Sequence, residues 1–240
     1  NIRTVQTPCV QLWLDKSLEE LGMDSAEWGL RPNSAPQTVV YADPLYSWIE
    51  MTSIMERHEA WPAERRPRAL VYYTGALEDA EPQPPRSDRG FPAREQARVT
   101  EMTKAWLDHH MGFFWPKAHA RGTGAFDLSV LHDPAGEAAP SGRQRLTRQL
   151  IRHNAEPSAR YTLAVPGSER FRLAADESGY DNLFLAGDWT NFGVNVGYVE
   201  GTIVSGIRAA AALRRSLGLP HDREIYEDAP FQRFGPAPAR

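Results

Sequence analysis

The stretch Asp181–Ala212, DNLFLAGDWTNFGVNVGYVEGTIVSGIRAAAA, passes from an apolar run through a glycine-bearing loop into helical spacing. Leu183-Phe184-Leu185-Ala186 has the length and the bounding of a buried strand. The run stops at Gly187-Asp188, and the loop after it holds Gly193 and Gly197. From there Val199, Ile203, Ile207 and Ala210 recur at three and four, which predicts the core-facing side of an amphipathic helix. Arg214 and Arg215 suit the negative end of the helix dipole, Gly218 suits the C′ position, and Pro220 blocks continuation. A strand–loop–helix unit follows, with glycines where a ligand can approach the backbone.

Three groups of residues here carry a resemblance: Asn182-Leu183-Phe184-Leu185-Ala186-Gly187-Asp188-Trp189-Thr190, Gly197-Tyr198-Val199-Glu200-Gly201, and Ser205-Gly206. Together they resemble the C-terminal FAD-binding signature of the flavin-containing amine oxidase and phytoene desaturase-like superfamily. Gly187-Asp188-Trp189-Thr190 looks closer to the desaturase and hydroxysqualene-dehydroxylase-like branches than to the amine oxidases, where the acid is commonly Glu. Residues 152–173, RHNAEPSARYTLAVPGSERFRL, resemble the segment just ahead of that signature in the hydroxysqualene-dehydroxylase-like members.

The resemblance implies FAD as cofactor, with Gly187, Asp188, Trp189, Thr190, Asn195, Gly197, Tyr198, Val199 and Glu200 as its contacts. It implies an α/β fold class: an α+β substrate region over 1–165, the C-terminal strand–helix of a Rossmann-like FAD-binding domain over 166–218, and a tail over 219–240. The chemistry suits those residue types. A carboxylate such as Asp188 accepts a hydrogen bond from a ribityl hydroxyl. A helix start near Gly197 offers unpaired N–H groups and partial positive charge to the pyrimidine edge of a flavin. By the resemblance, the backbone of Tyr198 and Val199 makes that contact. A member of the superfamily also carries a strand and a Gly-x-Gly-x-x-Gly turn for the pyrophosphate. The nearest candidate, Gly122-Thr123-Gly124-Ala125-Phe126-Asp127, puts Asp at the third glycine and opens no helix. The expectation is therefore a fragment whose partner is an N-terminal FAD-binding half, consistent with Asn1 as first residue and strand-like sequence from Thr4.

Composition narrows the classes. With 240 residues the chain can bury a substantial core in one or two domains. Its net charge of −4, from 27 Lys+Arg and 31 Asp+Glu, supplies no global field for nucleic acid. The single cysteine, Cys9, excludes an internal disulfide framework and fits a reducing, cytoplasmic setting. No apolar run approaches the ~20 residues that span a bilayer, and no signal peptide is visible, so any membrane contact is expected to be peripheral.

In chain order, Thr4–Leu14 reads as a strand in which Pro8 points to an edge or a bulge. Ser17 and Glu20 form a capping box over a short helix ended by Gly22. Asp24–Gln37 reads as loop, Thr38–Ala42 as strand, and Pro44–Trp61 as an aromatic-weighted helix that packs on a core or walls a pocket. Ala69–Leu77 is a strand with Tyr72 and Tyr73 on opposite sides. Pro92–Met111 is a helix with Ala97, Met102, Ala105 and Trp106 in step, and Ala118–Gly142 is loop with one short strand over Phe126–Leu131. Tyr161–Val165 pairs with Glu169–Leu173 across Pro166-Gly167-Ser168 as a hairpin.

The other constellations carry less. His109, His110 and His119 do not make a metal shell, because adjacent helical residues point to different faces. Arg152, Arg160, Arg170 and Arg172 read as a solvated or salt-bridged face, with an anionic substrate group as the minority reading. Ser205 has no recognisable His and Asp partners, so a hydrolase is disfavoured. No catalytic acid, base or nucleophile is assigned, as a flavin oxidation needs only an oriented substrate and a hydride path. The expected activity is two-electron flavin redox chemistry on a small or isoprenoid organic substrate. The alternative class is a non-catalytic subunit or interaction module that keeps the flavoprotein fold.

Overall fold

β2 (Pro8–Leu14) alternates as a strand with one face on a core must: Val10, Leu12 and Leu14 are fully buried while Cys9, Gln11 and Trp13 are half-buried. In the computed structural model, residues 2–27, 29, 38–79, 82, 84–85, 87–120, 124–133 and 142–220 are described. By compactness the chain divides into Gln6–Arg160 and a second unit of Asn1–Val5 with Tyr161–Arg240.

In the first unit β2 lies inside a five-stranded antiparallel sheet of order β3-β4-β5-β2-β6. β3 is Thr38–Val40, β4 Ser47–Glu50, β5 Ala69–Thr74 and β6 Leu150–His153. Leu12 faces Val71 on one side, and Val10 faces Ile151 on the other. Pro8 is therefore not on an edge strand. It takes the first position of an interior strand, one of the few places where a missing N–H is tolerated. The predicted single strand is also split, since β1 (Arg3–Val5) belongs to the other unit.

Pro44–Trp61 is not one helix. It folds as β4 followed by the short α1 (Thr52–His58). Trp48 stands opposite Val39 and Tyr73 in the sheet, and its buried ring meets Phe114 at 5.4 Å and Trp115 at 6.3 Å. Cross-strand pairing and aromatic packing outweigh the helical spacing of the apolar residues.

α2 (Phe91–His110) forms where the sequence places it, but its buried face is rotated. Glu95, Val99, Thr103, Trp106 and Leu107 turn inward, while Ala97 and Ala105 are exposed. The two polar positions are satisfied locally: Glu95 accepts from Gln6 Nε2 at 2.7 Å and from Arg98 Nε at 2.9 Å, and Thr103 Oγ1 donates to the Val99 carbonyl at 2.8 Å. An apolar count misses them for that reason. The Trp106 ring meets Tyr73 at 5.2 Å and its N–H donates to the Ala42 carbonyl at 2.9 Å, which seats the helix on the sheet.

Two further local expectations divide. Ser17 and Glu20 form the reciprocal capping bonds at 2.8 and 3.2 Å around a single turn. Leu128–Val130 is a 3-10 turn rather than a strand, stabilised by Asp127, which accepts from the Ser129 N–H at 2.9 Å. The loop over 24–37, Gly122-Thr123 and the tail beyond 220 fall partly or wholly outside the described residues.

In the second unit β1 pairs antiparallel with β7 (Tyr161–Leu163), Thr4 facing Thr162. The partner of β7 is thus non-local, and Glu169–Phe171 is a 3-10 turn rather than the second arm of a hairpin. The first unit also holds the short α3 (Arg143–Thr147), and in the second unit α4 (Val199–Ser216) ends as predicted. Gly218 has φ +65°, its N–H reaches the Arg215 carbonyl at 3.1 Å, and the Leu219 N–H reaches Arg214 at 3.0 Å, the two bonds of a Schellman close. Leu183–Ala186 lies in no ladder, and Leu183 and Ala186 are exposed. The Leu185 N–H donates instead to the Ala175 carbonyl at 2.9 Å, which satisfies it within a loop contact. No helix among the described residues is long and apolar enough to cross a membrane.

Candidate functional site

The turn that ends the apolar run is tied down by two hydroxyls. The Gly187 N–H donates to Ser205 Oγ at 2.9 Å, and Thr190 Oγ1 donates to the Gly187 carbonyl at 2.8 Å. Thr190 and Ser205, both buried, share a hydrogen bond of 2.6 Å. The first turns of α4 thereby hold the turn that presents Asp188. Gly187 needs to be glycine: its φ is +127°, and a Cβ there would lie 2.7 Å from Trp189 Nε1. Trp189 stays partly exposed above this turn.

Gly197 sits where the loop meets the helix. A Cβ on it would fall 2.0 Å from Tyr161 Oη and 2.6 Å from Asp188 Oδ2. Tyr161 Oη donates to the Gly197 carbonyl at 3.0 Å, so β7 anchors the loop as well. Tyr198 then caps α4 with extended backbone and no side-chain cap. The N–H groups of Val199, Glu200 and Gly201 precede the first helical bond, Thr202 N–H to the Tyr198 carbonyl at 3.1 Å. Val199 and Glu200 are exposed. A half-buried carboxylate, a glycine loop and an uncapped 18-residue helix thus converge.

The predicted face of α4 is the exposed one. Val199 is 72% and Ile203 57% exposed, whereas Gly201, Val204, Ser205, Ala211 and Ala212 are buried. Close approach selects the small residues: a Cβ at Gly201 would lie 2.5 Å from Phe192 Cε2, and Phe192 is fully buried. Gly206, by contrast, faces open space.

The four arginines of the basic run do not form one face. Arg160 pairs with Asp79 at 2.8 and 2.7 Å within the Gln6–Arg160 unit. Arg170 lies 4.7 Å from the Phe171 ring centroid, a cation–π contact. Arg172 is buried, with Nε donating to Asn195 Oδ1 at 2.8 Å and Nη1 to the Asp188 carbonyl. Burial pulls the Arg172 pKa down, and the Asp188 carboxylate opposes that shift. Asn195 donates Nδ2 to Ser168 Oγ at 3.0 Å and to the Val165 carbonyl at 3.2 Å. Its amide is therefore engaged within the unit.

All nine expected contact residues lie in the 187–200 segment. Gly187, Thr190 and Gly197 shape backbone, Asp188 supplies the carboxylate, and Val199 and Glu200 carry free helix-start N–H groups. The sequence reading placed Arg172 in a solvated or salt-bridged basic run and Tyr161 in a strand, passed over Phe192, and gave Ser205 no anchoring role. The available signals were Ser205 one turn beyond Gly201, on the side that close packing demands, and Phe192 beside the glycines.

The His residues stand apart from this. His109 Nδ1 meets the Ala105 carbonyl at 2.6 Å, and the His110 ring packs on Trp106 at 5.4 Å. No group of three His, Cys, Asp or Glu placed to hold a metal ion is found among the described residues.

No curated protein and no solved structure matches the chain. Residues 127–214 match the family model described as flavin containing amine oxidoreductase, a span that takes in the whole 187–200 segment. The matched family is flavin-containing, which is consistent with FAD as cofactor and points to a flavin-dependent oxidoreductase.

Proposed function

We propose that this chain carries the C-terminal, ring-side part of the FAD site of an oxidoreductase of the phytoene desaturase-like, hydroxysqualene-dehydroxylase-like kind. The observation that carries the reading is the junction at Gly197. There the Asp188 carboxylate and the uncapped start of α4 meet at a position of the loop, Gly197, where a Cβ would clash. Those groups fit a flavin, whose ribityl chain presents hydroxyl donors and whose pyrimidine edge gathers negative charge.

FAD, when bound, supplies two-electron redox chemistry as hydride acceptance. The rest falls to the protein. Asp188 would accept a hydrogen bond from a ribityl hydroxyl, and the N–H groups of Tyr198 and Val199 with the α4 dipole would favour negative charge at the pyrimidine edge. Gly187 and Thr190 would fix the turn that presents Asp188, Trp189 and Glu200 would flank it, and Asn195 would act through the loop it braces. The substrate in this reading is a small or isoprenoid organic molecule held by residues 1–165, in the cytoplasm or at a membrane surface. A dinucleotide-binding half with a Gly-x-Gly-x-x-Gly turn is the partner that cradles the pyrophosphate.

The visible spectrum of this chain purified together with its dinucleotide-binding half tests this. Stoichiometric flavin is expected, and Asp188→Ala is expected to lower retained FAD at least tenfold. Equal flavin content in parent and variant removes Asp188 from the site. A parent that neither contains nor takes up FAD refutes the function.

A further inference from the structure

Two segments of the second unit, the turn Val165–Arg172 and the loop Asp188–Gly197, are latched together by polar groups that the cofactor signature does not account for. Arg172 is 3% exposed, and its fork joins Asn195 Oδ1, at 2.8 Å from Nε, to the Asp188 carbonyl oxygen. From the other side Asn195 holds Ser168 Oγ at 3.0 Å, and Ser168 is itself buried. The Asn191 N–H adds a bond to the Leu173 carbonyl at 2.8 Å.

Burying a guanidinium is costly unless its donors are met. The acceptors that meet it are a backbone carbonyl and an amide oxygen, and the Asp188 carboxylate adds charge attraction. Charge attraction alone does not explain hydrogen bonds to two neutral acceptors. A rigid planar fork that spans two chain segments does, because it fixes their separation. The carbonyl it grips belongs to Asp188, and the side chain it grips lies two residues before Gly197, so both ends of the clamp bear on the proposed cofactor contacts.

Resting on the flavin reading above, we propose that Arg172 is a positioning residue for the cofactor. It clamps the Asp188 carbonyl to the Asn195 side chain and so sets the spacing between the Gly187-Asp188 turn and the loop from which α4 starts. Lysine keeps the charge but has no fork, so Arg172→Lys isolates the geometric role. Asn195→Ala cuts the same clamp from its other end and leaves the cation in place, which keeps the test open if an Arg172 variant fails to fold.

Two measurements decide it. In the full chain, either variant is expected to speed amide hydrogen exchange over residues 187–198 at least tenfold while 6–160 exchanges as in the parent. In the flavin-loaded protein, each single variant is expected to raise the FAD dissociation constant at least tenfold, with the double variant no weaker than the worse single. FAD affinity within twofold of the parent in Arg172→Lys, or losses that simply add, overturns the positioning role. If Asp188→Ala loses FAD while Arg172→Lys keeps it, this proposal alone fails. A parent that binds no FAD overturns the function as well.

Discussion

Replacing Gly197 by alanine tests the loop–helix junction directly. The new Cβ would sit 2.0 Å from Tyr161 Oη, 2.8 Å from Tyr161 Cζ and 2.6 Å from Asp188 Oδ2. Contacts that short cannot persist, so either the loop or the Tyr161 ring must move. If the loop moves, overpacking costs about 1–3 kcal/mol. If the half-exposed Tyr161 ring swings away, its 3.0 Å hydrogen bond to the Gly197 carbonyl is lost, at about 0.5–1.5 kcal/mol. Both routes destabilise the folded state, and the reduced freedom of the unfolded chain offsets about 0.4–1 kcal/mol of that loss. Urea unfolding followed by hydrogen exchange in residues 161–220 reads the change. Tyr161→Phe removes the nearest clashing atom, and in its background Gly197→Ala is expected to cost less than in the parent. Equal costs of Gly197→Ala in the two backgrounds refute the steric argument at this junction.

Other outcomes follow from buried polar groups. Ser205→Ala leaves the Gly187 N–H and the Thr190 hydroxyl without their shared partner and is expected to cost about 1–3 kcal/mol in urea unfolding. It should also loosen the Gly187 turn in hydrogen exchange, and Ser205→Cys should restore little of either. Glu95 is held below the ordinary carboxylate range chiefly by the Arg98 hydrogen bond, with Gln6 adding to it against a burial penalty. A depressed folded pKa means that its contribution is complete above about pH 4.3, the unfolded value, and disappears as pH falls through the folded one. The gap in urea midpoint between parent and Glu95→Gln should therefore be widest at neutral pH and shrink below about pH 4. A gap that does not change between pH 7 and pH 3 refutes the assignment.

Much of the candidate site was legible because its requirements are local. The 3.6-residue spacing after Gly197, the arginines of the last turn and Gly218 followed by Pro220 each act within a few residues of the backbone they control. The helix accordingly begins at Val199, runs to Ser216 and closes with the two bonds that a glycine in that place permits. The alternation of Pro8–Leu14 and the opposed Tyr72 and Tyr73 were legible for the same reason, since a strand's two faces follow from its own pleat.

What needed the folded chain was every choice between partners. Trp48 has helical company in the sequence, yet Val39 and Tyr73 across the sheet make its segment a strand. β7 pairs with residues 3–5 rather than with its nearest neighbours, because register depends on which distant strand arrives. Above all, the helix after Gly197 turns its smaller side inward. Phe192 can approach Gly201 and Ser205 can reach Gly187 only if glycine, serine and alanine line the contact, so distance of approach, not apolar surface, selects the buried face. The residue types of Asp181–Ala212 point to a ligand, while the side chains that hold them in place, Tyr161, Arg172 and Ser168, stand earlier in the chain and meet the loop only in three dimensions.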